Sequence, residues 1–257
     1  MLGPHLPPEL LDNIVDLLHD QPETLRQCSL VAKSWVPRTR KHLFADVKFD
    51  SASRLDLWKK TFLDPSNSPA CYTHTLSVGC SHVVTEADAE EDGWIRTFSR
   101  VSRLEVGANP TSPNGWNISF NPFRKFSPTI KSLRMSILAL SYSQAFNLIR
   151  SLPLLEDLAL VSGYSLDADD DPHGPQTIDL STSPAFTGTL ELLGIKHLAY
   201  RLLSLPSGIH FRELRLRWTH AEDPVLTTAL VEECAHTLES LNISDLIGMS
   251  IQHLHSH

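Results

Sequence analysis

The chain has 257 residues, 41% of them hydrophobic and 20% charged, and its 22 basic and 30 acidic residues give a formal net charge of −8. That length carries one large or two small domains with a sizeable core. The acidic balance argues against nucleic acid or an anionic membrane as the main partner, since both need a basic face, and no apolar run is long enough to span a bilayer. From the N-terminus, Pro7 and Pro8 mark a helix start, with Glu9 in the first turn where the helix dipole favours an acid. Leu10, Leu11, Ile14, Leu17 and Leu18 follow as one apolar stripe at period 3.6, with Asp12, Asn13 and Asp16 on the opposite face. Asp20 to Glu23 restarts the signal. Leu25, Cys28 and Ala32 share a face of this second helix, with Leu30 and Val31 beside it, and Pro37 ends it or opens a third helix through residues 38–44. Three helices in about forty residues bury too little surface to stand alone, so their apolar surplus is expected to be covered by the rest of the chain or by a partner.

The run from Leu6 to Trp35, LPPELLDNIVDLLHDQPETLRQCSLVAKSW, resembles an F-box. The likeness rests on Leu-Pro-x-Glu-Leu-Leu, on Ile14 four residues past Leu10, on Leu25, Cys28 and Leu30-Val31, and on Val31-Ala-Lys-Ser-Trp35 as the family's Val-x-x-x-Trp. It covers residues 5–45, under a fifth of the chain. The resemblance implies docking to the small Skp-type linker subunit of a cullin ubiquitin ligase. Leu6, Pro7, Pro8, Leu10, Leu11, Ile14, Leu25, Cys28, Leu30, Val31 and Trp35 would form the docking surface or the core directly beneath it.

Asp46–Phe49 alternates like a short strand, and residues 51–63 read as a helix with Leu55, Trp58 and Phe62 in line and Ser51 or Ser53 as its cap. Residues 46–70 are thus expected to link the helical module, 1–45, to the remainder, 71–257. From residue 71 a repeat emerges, apolar-x-x-Leu-x-apolar, with anchor leucines at Leu76, Leu104, Leu133, Leu158, Leu193, Leu214 and Leu241. The gaps are 28, 29, 25, 35, 21 and 27 residues, mostly in the roughly 20 to 29 range of leucine-rich repeats. In a strand, Leu-x-apolar puts two side chains on one face and the middle residue on the other. Helical patterns fall between: residues 86–98, 143–152, 198–205 and 224–235. The fold class expected is therefore α/β: an N-terminal three-helix module, then an irregular solenoid with a parallel sheet. It resembles the degenerate leucine-rich repeats found behind F-boxes, especially in fungal proteins; a repeat-free α/β domain is the other reading. No capping repeat follows Ile243, so a tail, a partner or further chain is expected to cover the last repeat.

Two insertions interrupt the rhythm. Residues 107–128 hold four prolines with Trp116, Phe120, Phe123 and Phe126, and Trp116, Phe120 and Phe123 are the candidates for contacting a target, since aromatics anchor interfaces. The other reading tucks that loop over the core. Residues 163–184 carry Asp167, Asp169, Asp170 and Asp171, but lack the glycine and closing glutamate of a calcium loop. Cys71, His74, Cys80 and His82 are close in sequence, yet the two cysteines are nine apart and Leu76 and Val78 between them belong to a core. No phosphate loop, nucleophile elbow or His-Glu-x-x-His motif is present. The expectation is a non-enzyme with no catalytic residue, metal or cofactor: a substrate-recognition adaptor acting by proximity, its repeats holding a target protein. The alternatives are a non-degradative F-box scaffold and, with less support, a hydrolase or metal-binding protein. Cys28, Cys71, Cys80 and Cys234 lack disulfide-framework spacing, and no signal peptide is read, which points to cytoplasm or nucleus.

Overall fold

The computed structural model describes residues 7–80, 94–108, 121–136, 142–161, 184, 186–218 and 224–245. The chain is α/β. Three helices come first: α1 (Pro8–Leu17), α2 (Pro22–Val31) and α3 (Val36–Leu43). Eight strands follow: β1 (Asp46–Phe49), β2 (Thr75–Cys80), β3 (Arg103–Ala108), β4 (Ser132–Ser136), β5 (Asp157–Val161), β6 (Thr189–Leu193), β7 (Glu213–Trp218) and β8 (Ser240–Asp245). They form one parallel sheet in strict chain order. Parallel neighbours need a crossover each time. Helix α4 (Ala52–Thr61) lies in the first, α5 (Tyr142–Arg150) in the fourth, α6 (Lys196–Leu203) in the sixth and α7 (Pro224–Cys234) in the seventh. Among the described residues no helix is long and apolar enough to cross a membrane.

The Leu-x-apolar motifs fix the register. Leu76, Leu104, Leu133 and Leu158 stand opposite one another, as do Val78, Val106, Met135 and Leu160. Leu214 and Leu216 pair with Leu241 and Ile243 in the same way. β6 corrects the expected alignment. Its anchor is Leu190, opposite Leu158 and Leu214, and not Leu193. The spacing from Leu158 to Leu190 is 32 residues, and from Leu190 to Leu214 it is 24. An odd slip exchanges the faces of a strand, so Leu193 falls on the open face and is only half-buried. Gly194, at φ 70°, breaks the extended backbone there and keeps the chain from using Leu193-Gly-Ile195 as the strand. β1 is also more than a connection: Val47 and Phe49 pair in register with Leu76 and Val78 and are buried.

The described parts of the crossovers pack on one face, where the core is continuous from Val47 to Cys234. Its first part is aromatic: Phe49 meets Trp58, Trp94 and Phe98 edge-on or at a steep angle, and Trp58 stacks on Phe98 with centroids 5.6 Å apart. Further along, Leu148, Ile149 and Leu152 of the α5 crossover and Leu198, Ala199 and Leu202 of α6 are fully buried. At the strand starts the main chain builds its own ladder. Two successive N–H groups donate to one carbonyl of the preceding unit: His74 and Thr75 to Ala45, Ser102 and Arg103 to His74, Lys131 and Ser132 to Ser102. Glu156 and Asp157 to Lys131, Arg212 and Glu213 to Gly188, and Glu239 and Ser240 to Arg212 continue it. The β6 start departs from the pattern. Gly188 N–H donates to Glu156 O, but Thr189 N–H donates to the Asp157 side chain at 2.8 Å. A Cβ on Gly188 would stand 2.2 Å from that Asp157 oxygen, so a side chain there would push the carboxylate off the Thr189 N–H.

Candidate functional site

Two surfaces stand out, one on the helical module and one on the sheet. Helix α1 divides its apolar residues between two stripes of identical spacing. Leu11, Val15 and Leu18 turn inward; Val15 is 1% exposed and the other two are half-buried. Leu10, Ile14 and Leu17 turn outward, at 48%, 43% and 80% exposed. Helix α2 behaves alike: Leu25 is buried, while Leu30 and Val31 at its end stand 86% and 70% exposed.

The module is held together without those outer residues. α1 and α2 both pack on α3. Asp16 of α1 accepts from Arg38 Nε at 2.6 Å and from Arg38 Nη2, and its other contact is His42 Nε2 at 2.7 Å. The Arg38 guanidinium first, and His42 second, hold the Asp16 carboxyl well below the usual carboxylate range. Thr39 is fully buried and donates to Trp35 O at 3.0 Å or Val36 O at 3.1 Å. Polar pairing thus clamps α1 to α3, and the outer leucines contribute little to the fold.

Of the predicted docking residues, Pro7, Leu10, Ile14, Leu30 and Val31 are exposed. Leu11, Cys28 and Trp35 are half-buried and Leu25 is the floor beneath them. Pro8 begins α1, and Leu6 lies outside the described residues. Sequence reasoning merged two stripes into one and missed Val15; the signal was the second i, i+4, i+7 series starting at Leu11. For the aromatic loop, Trp116 and Phe120 lie outside the described residues. Phe123 is 1% exposed and belongs to the core with Phe126, so it offers nothing to a partner. The turn Asn121–Phe126 closes the crossover between β3 and β4, and its two phenyl rings fill the layer behind the sheet.

Among the described residues the sheet's other face carries no helix. Its middle row, read across the strands, is Lys48, Ser77, Glu105, Arg134, Ala159, Glu191, Arg215 and Asn242. The sequence is cation, neutral, anion, repeated with a period of three strands. Ser77 Oγ donates to Glu105 at 2.7 Å. Arg134 reaches past the small Ala159 to Glu191, 3.6 Å away. Arg215 grips Glu213 with Nε at 2.8 Å and Nη2 at 3.1 Å, which lowers the pKa of Glu213. A groove of about 450 Å³ lies over β1 to β5, and Gly79 and Gly107, paired in register, form part of its floor. Among the described residues no three His, Cys, Asp or Glu side chains are grouped as metal ligands would be.

No protein-family model matches the chain, and no curated protein matches it. The two surfaces carry the functional reading by themselves.

Proposed function

We propose that the chain is the target-recognition subunit of a cullin-type ubiquitin ligase. In this reading the first three helices are an F-box that docks on a Skp-type linker subunit, and the sheet domain is a leucine-rich-repeat-like solenoid that holds a target protein. The observation that carries the reading is the set of outward apolar residues, Leu10, Ile14, Leu17, Leu30 and Val31, on helices whose inner faces are already packed. Grouped apolar exposure of this kind marks a surface that another molecule covers. All of them but Leu17 are also residues of the F-box pattern in the sequence. The outer face of the sheet supports the second half: it is a broad polar surface behind which the whole core is sealed.

The mechanism is proximity. A receptor that binds both linker and target raises the effective concentration of target lysines near a charged ubiquitin carrier, with no active site of its own. The test is reconstitution. The purified chain is mixed with a Skp-type linker and a cullin, and the complexes are sized. The receptor reading expects a ternary complex that Leu10→Asp abolishes. Binding to the linker without cullin entry moves the assignment to a non-degradative scaffold, and no linker binding overturns both.

A further inference from the structure

We propose that the cavity between the first and second crossovers receives one tyrosine side chain of a partner polypeptide, its phenol oxygen accepting from the indole N–H of Trp94. The cavity shares no residue with the first three helices, so it is a second interaction site and stands independently of the linker reading. Helix α4 and the residue that ends it place Trp58 and Phe62 on one face by their i, i+4 spacing, with ring centroids 4.7 Å apart. The turn Trp94–Thr97 of the second crossover supplies the facing wall. Each ring is braced by others of the core: Trp58 by Phe44 and Phe98, Phe62 by Phe44, and Trp94 by Phe49 and Phe98, with centroids 5.6 to 6.3 Å apart. The walls are therefore set before a partner arrives, which lowers the ordering cost of binding.

Size limits the occupant. The cavity has a volume of about 150 Å³. An apolar cavity of about this size takes one benzene-sized group, so what enters is a single ring and not a stretch of backbone. The rim is apolar as well: Leu63 lines the cavity and is 84% exposed, and Leu57 of α4 is 64% exposed. A free ring small enough to enter would leave Leu63 in water. A polypeptide that inserts one side chain covers the rim too, the arrangement that keeps a buried anchor dry.

The polar groups select the ring. Trp94 is 6% exposed, and its Nε1 is buried with no hydrogen-bond partner. Buried donors are normally paired and are costly when they are not, so this wall lacks an acceptor that an occupant can bring. Among the described lining residues Ser68 and Thr97 add hydroxyls, and there is no carboxylate. A cationic occupant is disfavoured, because Lys59 Nζ already lies over the Trp94 ring, 5.6 Å from its centroid. Of the side chains with one six-membered ring, phenylalanine has no acceptor and tyrosine carries one at its tip.

The test titrates the full chain with acetyl-Leu-Tyr-Leu-amide, its phenylalanine and alanine counterparts, and N-acetyltyrosine amide, read by ligand-observed NMR. The tyrosine peptide is expected to bind about fivefold more tightly than the phenylalanine peptide, the effect of one net hydrogen bond. Against the alanine peptide the margin is expected to be about tenfold or more, from burial of the ring. Trp94→Phe keeps a ring and removes the N–H, so it should bring the tyrosine and phenylalanine peptides level. Leu63→Asp, at an exposed position, should weaken the tyrosine peptide about threefold or more and leave N-acetyltyrosine amide unchanged. Unfolding midpoints show that each variant is folded; if Trp94→Phe is not, the wild-type preference and Leu63→Asp decide. No binding at about 1 mM peptide, equal binding of the tyrosine and alanine peptides, or indifference to Leu63→Asp overturns the proposal. Equal binding of the tyrosine and phenylalanine peptides, or a tyrosine preference that survives Trp94→Phe, overturns the bond to Trp94. N-acetyltyrosine amide binding as tightly as the peptide overturns the polypeptide source in favour of a free phenol.

Discussion

Leu133 and Leu30 are the same residue type with opposite fates. Leu133 sits in β4 at 0% exposure, with Leu104 and Leu158 in register on either side. Leu30 ends α2 at 86% exposure. In the sheet, the anchor leucines from β2 to β7 have a strand on either side and are buried, while Leu241 and Ile243 of the edge strand β8 are half-buried. In the first three helices only one stripe per helix finds cover, and charge pairing through Asp16 does the rest of the clamping. Apolar residues serve the fold in the first region, whereas in the second a group of them stays exposed.

The largest test of that contrast lies in the sheet. Leu133→Ala is expected to cost about 3 kcal/mol, the range for deleting a fully buried leucine, read from denaturant unfolding. A cost near zero would mean the sheet side is not sealed. Next is Gly188→Ala, whose methyl displaces the Asp157 carboxylate and breaks its bond to the Thr189 N–H; about 1–2 kcal/mol should be lost.

Asp16→Asn probes the clamp of the other region. The Asp16 side chain is 36% exposed, so solvent screening limits the expected cost to about 1 kcal/mol at neutral pH. The sign with pH follows from its lowered pKa in the fold. The stabilisation is fully present above the ordinary carboxylate pKa, roughly 4, and is lost as pH falls below it toward the lowered value. Thermal midpoints of wild type and variant should therefore converge on acidification, and a constant difference from pH 7 to pH 3 would show that the clamp is not ionic. The smallest expected effect is Leu30→Asp, within about 0.5 kcal/mol by unfolding, as for a surface site.

The sheet was largely legible because a period-2 motif and a register leave few choices. Six of the seven proposed anchors, Leu76, Leu104, Leu133, Leu158, Leu214 and Leu241, stand in one row. The seventh slipped because Leu190-Glu-Leu-Leu-Gly-Ile195 contains the motif twice, three residues apart, and only the backbone at Gly194 decides between them. The main-chain ladder at the strand starts could not be read at all, since any residue supplies its N–H and C=O. On α1 the sequence offers two stripes of equal spacing, and which one turns inward is settled by where Asp16 meets Arg38 and His42, a contact 22 and 26 residues away. Phe123 misled for a related reason: a loop rich in aromatics reads as an interface until the crossover around it is seen to need filling.

The central claim is that the outer leucines of the helical module bind and do not fold. Calorimetric titration of a Skp-type linker into the full chain and into a Leu10→Asp/Leu30→Asp double variant, with unfolding midpoints in parallel, tests it directly. The account predicts saturable one-to-one binding by the wild type, a loss of about a hundredfold or more in the variant, and matching midpoints. A wild type that does not bind, or a variant that unfolds early or binds equally well, contradicts it.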